Sequence, residues 1–302
     1  MSELTNEQKV EFKNQVEKAK SNEEVESILA NATKQNDELK NKKSSASERV
    51  DYLKGLPDED KEKIKKQIEV GTSVQEVEMQ LEKAKKLNNG ILLAESFLNI
   101  PENQKSQLKE EVKKSTSEED LNQKLLKASK DNAKAIIAEL KKVEKDVNLT
   151  PLKNPDEVIT KIDQATTVQE VEDILVNAIG QVTGTIVKDL KIEKVPYVNS
   201  KGDKFNLVSL VITLKITSED IFDYKATRTW LMNFKYPDGT TKEVSTLGIY
   251  RKETIDKTTL QLKIDSYEPF DKKGVYEISK LWLNGDFKGI NLLTRKHFPE
   301  NI

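Results

Sequence analysis

Cysteine is absent from the 302 residues. That excludes disulfides, zinc–thiolate sites and thiol catalysis. The single histidine, His297, stands near the C-terminus; a Ser-His-Asp triad or a multi-histidine metal site would depend on it alone. No run approaches about 18 uninterrupted apolar residues, so no membrane insertion is expected. Neither charge sign dominates, because 50 basic and 52 acidic side chains leave a formal net charge of -2. A nucleic-acid or anionic-membrane partner would need a clustered basic excess, and none is expected. A glycine-rich phosphate loop, a Gly-x-Ser-x-Gly elbow and a His-Glu-x-x-His helix are all missing. The carboxylate pairs Glu23/Glu24 and Glu118/Glu119 fall at expected helix N-termini, where the helix dipole favours negative charge. The expectation is a non-enzyme with no catalytic residue, no cofactor and no metal.

Apolar residues are also scarce, at 35% of the chain against 34% charged. A sequence of that composition folds only if its apolar positions form narrow, regular stripes, as in repeat arrays. Such stripes are present. The run from Phe12 to Leu29 recurs from Ile64 to Leu81, and further copies begin at Leu108 and Val158. Each copy opens with apolar residues at i, i+4: Phe12/Val16, Ile64/Ile68, Leu108/Val112 and Val158/Ile162. A small residue follows (Ala19, Gly71, Ser115, Ala165), then a hydroxyl (Ser21, Ser73, Ser117, Thr167), then an acid three residues on (Glu24, Glu76, Asp120, Glu170). That order predicts helix, tight turn and a new helix opened by a capping box.

Between copies, residues about 37–54, 89–99 and 133–147 carry further helical stripes, so the full unit reads as a three-helix bundle. Pro57 and Pro101 open the next units. The stretch from Glu118 to Val147 holds no glycine or proline, which predicts that the last helix of one unit runs directly into the first helix of the next. Only three residues precede Leu4, leaving the first unit without its first helix, and no sorting signal is visible at either end. The sequence therefore reads as part of a longer array. The expected organisation is a partial helical repeat at 1–36, helical repeats at 37–88, 89–132 and 133–180, and an all-β domain at 181–302.

The spacing Ile/Val-x-x-Ala-x-Ser/Thr-x-x-x-Val-x-x-x-Leu, preceded by the aromatic Phe12, resembles the GA module. GA modules are three-helix albumin-binding domains of Gram-positive surface proteins. The resemblance covers roughly residues 1–180 and implies a monomeric, extracellular protein of the bacterial cell surface, attached to the cell wall in its full-length form. It implies a host plasma protein as partner, with serum albumin favoured. Phe12, Lys13 and Asn14 sit where albumin-binding members carry a Tyr-Lys-Asn stretch, and Lys20 lies in the following turn. These four are the candidate ligand-binding residues. Copies two to four replace the aromatic with Ile64, Leu108 and Val158, so unit one is the favoured binder. The alternative places Phe12 in the core.

The texture changes near Gly180–Gly184, where period-two alternation takes over: Leu210, Ile212, Leu214 and Ile216; Trp230, Met232, Phe234 and Tyr236; Leu260, Leu262 and Ile264. Turns are expected at Asn199–Gly202, Pro237–Gly239 and Asn284-Gly285. Strands are expected near 184–194, 205–217, 225–236, 240–250, 258–266, 274–283 and 286–294. Fold class is therefore α then β: tandem three-helix-bundle repeats followed by an antiparallel β-sandwich, suspected to be immunoglobulin-like, with a closed barrel as alternative. Trp230 and Trp282 are expected to anchor its core, whereas Tyr250, Tyr267 or Phe270 could decorate a binding edge. The β domain is expected to melt separately from the helices. A second functional reading makes the helical array a stalk that presents this domain as an adhesin for another host or cell-surface ligand.

Overall fold

A computed structural model describes residues 1–97, 99–146, 149–235, 240–245, 250–265, 277–283 and 289–294. Eight helices come first: α1 (Asn6–Lys18), α2 (Asn22–Asp51), α3 (Asp58–Glu69), α4 (Val74–Ser96), α5 (Glu102–Lys113), α6 (Glu118–Leu140), α7 (Pro155–Gln164) and α8 (Val168–Thr183). Short and long helices alternate through α6. The short ones hold the opening i, i+4 pairs of the copies. The long ones run through the expected unit boundaries without a break, so α2 closes the first repeat and opens the second.

The turn chemistry is the same in all four copies. Ser21, Ser73, Ser117 and Thr167 each accept the amide of the residue three positions on, at 3.1–3.2 Å. The acid at that position reaches back to the amide of Lys20, Thr72, Thr116 or Thr166, at 2.6–3.0 Å. One first-turn donor that the helix cannot satisfy itself is thereby paired, together with the amide just ahead of the cap. Asp120, one methylene shorter than glutamate, makes the same contact at the longest distance, 3.0 Å.

A second repeated device fixes the segment ahead of each short helix. Asn36, Asn88 and Asn132 are buried on the long helices. Their side-chain oxygens accept the backbone N–H of Glu3, Gly55 and Asn99 at 3.0, 2.7 and 3.0 Å. The next residue in each case is apolar and buried: Leu4, Leu56 and Ile100. Gly55 is required by closeness, because a Cβ there would stand 2.7 Å from the Asn88 carbonyl oxygen. The fourth copy has Val182 at the matching position, and there the Val182 carbonyl accepts the Thr150 amide at 2.8 Å.

The chain divides into two compact units, residues 1–95 with 106–121, and 96–105 with 122–302. In the first, the second half of α2, α3 and the first half of α4 form a three-helix bundle around Ile68, Val77 and Leu81. In the second, the last helices and the β region share one apolar cluster. It runs from Ala133 and Ile137 through Ile162, Leu175 and Ile179 to Ile212, Trp230, Leu260 and Leu281. This shared core replaces the expectation that the β domain stands thermally apart from the helices. The joint is also polar. The last carbonyls of α8, which have no partner inside the helix, accept from outside it. Val182 takes Thr150, as above; Thr183 takes the buried Lys225 ammonium at 2.6 Å, and Gly184 takes the Thr217 amide at 3.1 Å. Gly184 turns the chain in the left-handed region, φ 59°, where glycine is least strained.

Among the described residues seven strands follow: β1 (Thr185–Val198), β2 (Lys204–Ile216), β3 (Trp230–Lys235), β4 (Thr241–Ser245), β5 (Tyr250–Thr254), β6 (Thr259–Asp265) and β7 (Glu277–Leu283). They form two antiparallel sheets, β1-β2-β6-β5 and β4-β3-β7. Ile212, Leu214, Ile216, Trp230, Met232, Leu260 and Leu262 are buried as alternation predicts, and Trp282 is half-buried.

Three strand expectations change. Residues 222–227 form a short helix, α9 (Phe222–Thr227), so β3 begins at Trp230. Ser218 caps the 3-10 turn ahead of it, accepting the Asp220 amide at 3.3 Å, and Phe222 and Lys225 face inward at helical spacing. The 240–250 run is two strands in different sheets. Residues 289–294 form no ladder, because the Asn291 side chain takes the Leu281 amide (3.0 Å) that a strand would have used. The Asn199–Gly202 turn is present, with Gly202 at φ 87°. Pro237–Gly239, Asn284-Gly285, Tyr267, Phe270, His297 and the Tyr250 side chain lie outside the described residues.

Several carboxylates are held in their charged form. The amide and hydroxyl of Thr72 lower Glu76, and those of Thr166 lower Glu170. In the β5–β6 turn, the Thr258 amide and the Thr259 hydroxyl bring Asp256 from 3.8 to about 2. A carboxyl whose folded pKa lies below its unfolded value stabilises fully above the unfolded pKa and loses that effect as pH falls through the folded one. The melting temperature is therefore expected to fall as pH drops from about 4.5 to about 2, with the Asp256 carboxyl carbon titrating near the lower end by NMR. Titration of Asp256 at the ordinary 3.8 would contradict this account.

Candidate functional site

The four residues singled out in sequence lie on or just after α1. Thr5 opens that helix with a reciprocal capping box, its hydroxyl accepting the Gln8 amide and its own amide donating to the Gln8 side chain. No residue of α1 is fully buried. Phe12 and Val16 are half-buried toward α2, while Lys13, Asn14 and Lys20 are exposed. The Lys13 ammonium stands 3.9 Å from Glu17 and its side chain is 75% exposed. The Lys20 amide is spent on Glu24, leaving the ammonium in solvent. Thus Phe12, Lys13 and Asn14 share one short helix with a half-accessible aromatic and flanking polar groups. Such an arrangement is suited to apolar contact with a protein surface.

Phe12 is more accessible than its counterpart Leu108, which is buried. Its other counterparts Ile64 and Val158 are half-buried as Phe12 is, so this exposure is not peculiar to repeat one. The asparagine latches were not among the sequence-derived sites, although Asn36, Asn88 and Asn132 recur at one distance from the start of each copy. An asparagine on an otherwise apolar helical stripe is the signal that would have found them.

The second compact unit holds a cleft of about 510 Å³, lined among others by Asn132, Glu139, Glu172, Asn233, Lys280 and Thr294. Glu172 is 3% exposed. Lys280 lies over the Trp282 ring at 4.5 Å from its centroid, a cation–π distance. Asn291 is committed to the backbone amides of Leu281 and Leu293. Among the described residues, no three His, Cys, Asp or Glu side chains gather as metal ligands would. Nor is any described helix long and apolar enough to cross a membrane.

An alternation of short and long helices with a recurrent polar latch defines the helical part as a tandem three-helix-repeat protein. The GA module family model matches three segments of it, residues 1–38, 36–90 and 155–179. The second match begins and ends inside α2 and α4, as expected where long helices are shared between modules. The copy beginning at Leu108 lies outside the matched segments. No curated protein matches the chain. Among solved structures, the crystal structure of the 756–1003 domain of EbhA from Staphylococcus aureus aligns with 59% of this chain and 90% of that one. Identity is 16% and the TM-score 0.23, too low to carry a structural argument.

Proposed function

We propose that this chain is a non-enzymatic binding segment of a Gram-positive surface protein, cell-wall attached in its full-length form, whose GA modules take a host plasma protein. Serum albumin is the favoured partner and the first repeat the favoured binder. The carrying observation is the GA match over residues 1–38 together with the accessibility of Phe12, Lys13 and Asn14 on α1. The chain acts as a monomer, without cofactor or metal, and its repeats are counted as 1–36, 37–88, 89–132 and 133–180, ahead of the β domain at 181–302.

Calorimetry of the whole chain with serum albumin tests this. An aromatic anchor carries about 2 kcal/mol or more of binding energy, so Phe12→Ala should weaken binding by about thirtyfold. Lys13→Ala, at an exposed site, should change it far less. Circular dichroism of Phe12→Ala separates a lost contact from a lost fold. Absence of heat at high micromolar albumin would refute the reading.

A second reading, in which the helices are a stalk and the β domain binds another host or cell-surface ligand, is favoured by the Glu172–Lys280 cleft. The strand order supports an immunoglobulin-like description of that domain. Two sheets ordered β1-β2-β6-β5 and β4-β3-β7 match an A-B-E-D sheet facing an extended C-F sheet.

A further inference from the structure

The cleft of the second compact unit is walled differently from the same face of the first long helix. Counted from the latch asparagine, α2 carries Lys40, Ser44 and Ser47 at the fourth, eighth and eleventh positions. The chain through and just past α6 carries Ile136, Leu140 and Val143 there. Lys40 and Ser44 are exposed, whereas Leu140 and Val143 are buried, and all three apolar residues line the cleft. Leu175 and Ile179 of α8 add to that apolar wall. At about 510 Å³ the cleft falls among small-ligand sites, which run to about 300–1,000 Å³.

Three donors line it as well. Asn36 and Asn88 donate their side-chain nitrogens to Asp37 and Asn89, both at 3.1 Å. Asn132 is followed by Ala133, so its oxygen still accepts the Asn99 amide while its nitrogen has no hydrogen-bond partner among the described residues. Asn132 is 6% exposed, and a buried donor is costly to leave without an acceptor. Lys280 of β7 stands across the ladder from Asn233 of β3, and both line the cleft. Gly289 leaves room for the Lys280 ammonium, because a Cβ there would stand 3.0 Å from Nζ. Among the described residues no carboxylate pairs with that ammonium. Of the acids lining the cleft, Glu139 pairs with Lys142 at 2.6 Å and Glu172 is already engaged within the fold.

We infer that this cleft binds the C-terminal end of a peptide chain whose last residues are apolar. The terminal carboxylate takes the Lys280 ammonium and the Asn233 amide. A peptide carbonyl of the ligand accepts from Asn132, and its apolar side chains lie against Ile136, Leu140, Leu175 and Ile179. Each of the three donors thereby gains an acceptor, the carboxylate through a charge-assisted bond. Capture of a chain-terminal carboxylate is a recurring mode of peptide recognition. The inference rests on the second reading above, in which the β-bearing part binds a ligand of its own.

The test titrates acetyl-Ala-Leu-Leu, with a free carboxylate, into the full chain by calorimetry. Saturable binding at or below about 1 mM is expected, and the same peptide as its C-terminal amide should bind about tenfold more weakly or worse. Lys280→Met should weaken the acid by about tenfold and leave the amide unchanged, while Lys280→Arg keeps most of the affinity. Asn132→Asp retains the oxygen that holds Asn99 and loses the donor, so it should weaken both peptides. Amide exchange at Asn99 shows whether the latch survives in that variant. No saturable binding, equal binding of acid and amide, or indifference to Lys280→Met would overturn the inference. Adhesion of the full chain to host cells, measured in parallel, keeps the two claims apart. Adhesion that Lys280→Met abolishes, with neither peptide bound, refutes the chain-end ligand alone; absence of both adhesion and peptide binding refutes the second reading as well.

Discussion

Replacing Trp230 with Ala is expected to destabilise helices α7 and α8 together with both sheets, not the sheets alone. Trp230 is completely buried at the start of β3. It lines a small void together with Leu149, Thr183, Lys225 and Leu292, which belong to the segment ahead of α7, the end of α8 and the β region. Truncating a buried tryptophan costs about 3–5 kcal/mol, a large part of a typical domain's stability. Residues from Ala133 to Leu293 form one apolar cluster, so the loss has no boundary at which to stop. Thermal melts of Trp230→Ala should show the sheet signal and the amide-exchange protection of α8 falling in one step. The amides of α3 should keep their protection. Retained protection in α8 alongside melted sheets would disprove a shared core.

Sequence pattern made the helical part legible because its physics is local. Capping hydroxyls, i, i+4 apolar pairs and the absence of breakers all act within a few residues, and each reappears in the structure where it was read. The continuity of α2 and α6 follows from the same logic, since neither holds a glycine or proline, whereas α4 runs through Gly90 and α6 stops at Leu140 although no glycine or proline follows before Pro151. The latches built on Asn36, Asn88 and Asn132 were within reach but overlooked. A polar residue on an apolar stripe interrupts the pattern being sought, although here it satisfies a buried backbone amide.

The β region was legible as strands and far less so as a topology. Alternation finds Leu260 and Leu262, but it cannot say that β6 lies between β2 and β5. It also misreads residues 225–229, because Lys225 looks like an outward strand position. In the fold its ammonium is buried against the Thr183 carbonyl, a contact across 42 residues. The joint between α8 and β1 was hidden for the same reason. Val182 and Ile179 read equally well as the core of a helical bundle or as the floor of a sheet, and the structure uses them as both. For the candidate site, the helix carrying Phe12, Lys13 and Asn14 was readable, but its accessibility was not. The same position is half-buried as Ile64 and Val158 and buried as Leu108, so its burial is set by tertiary packing and not by the local motif.

That dependence gives the second large effect, an asymmetry between two equivalent leucines. Leu81→Ala in repeat two and Leu29→Ala in repeat one delete the same atoms from the same position of the same motif. Leu81 is 4% exposed, under the second half of α2. Its removal takes away both the transfer energy and the packing of a filled site, about 3–5 kcal/mol. Leu29 is 49% exposed, so water already contacts much of the side chain and can occupy the space it leaves. At about 25 cal/mol per Å² of apolar area, the smaller buried part should cost about 1 kcal/mol or less. Denaturant unfolding of the two variants, with amide exchange assigning each loss to its helices, measures the difference directly. Equal losses would mean that Leu29 is as buried in solution as Leu81, contrary to its exposure in the structure.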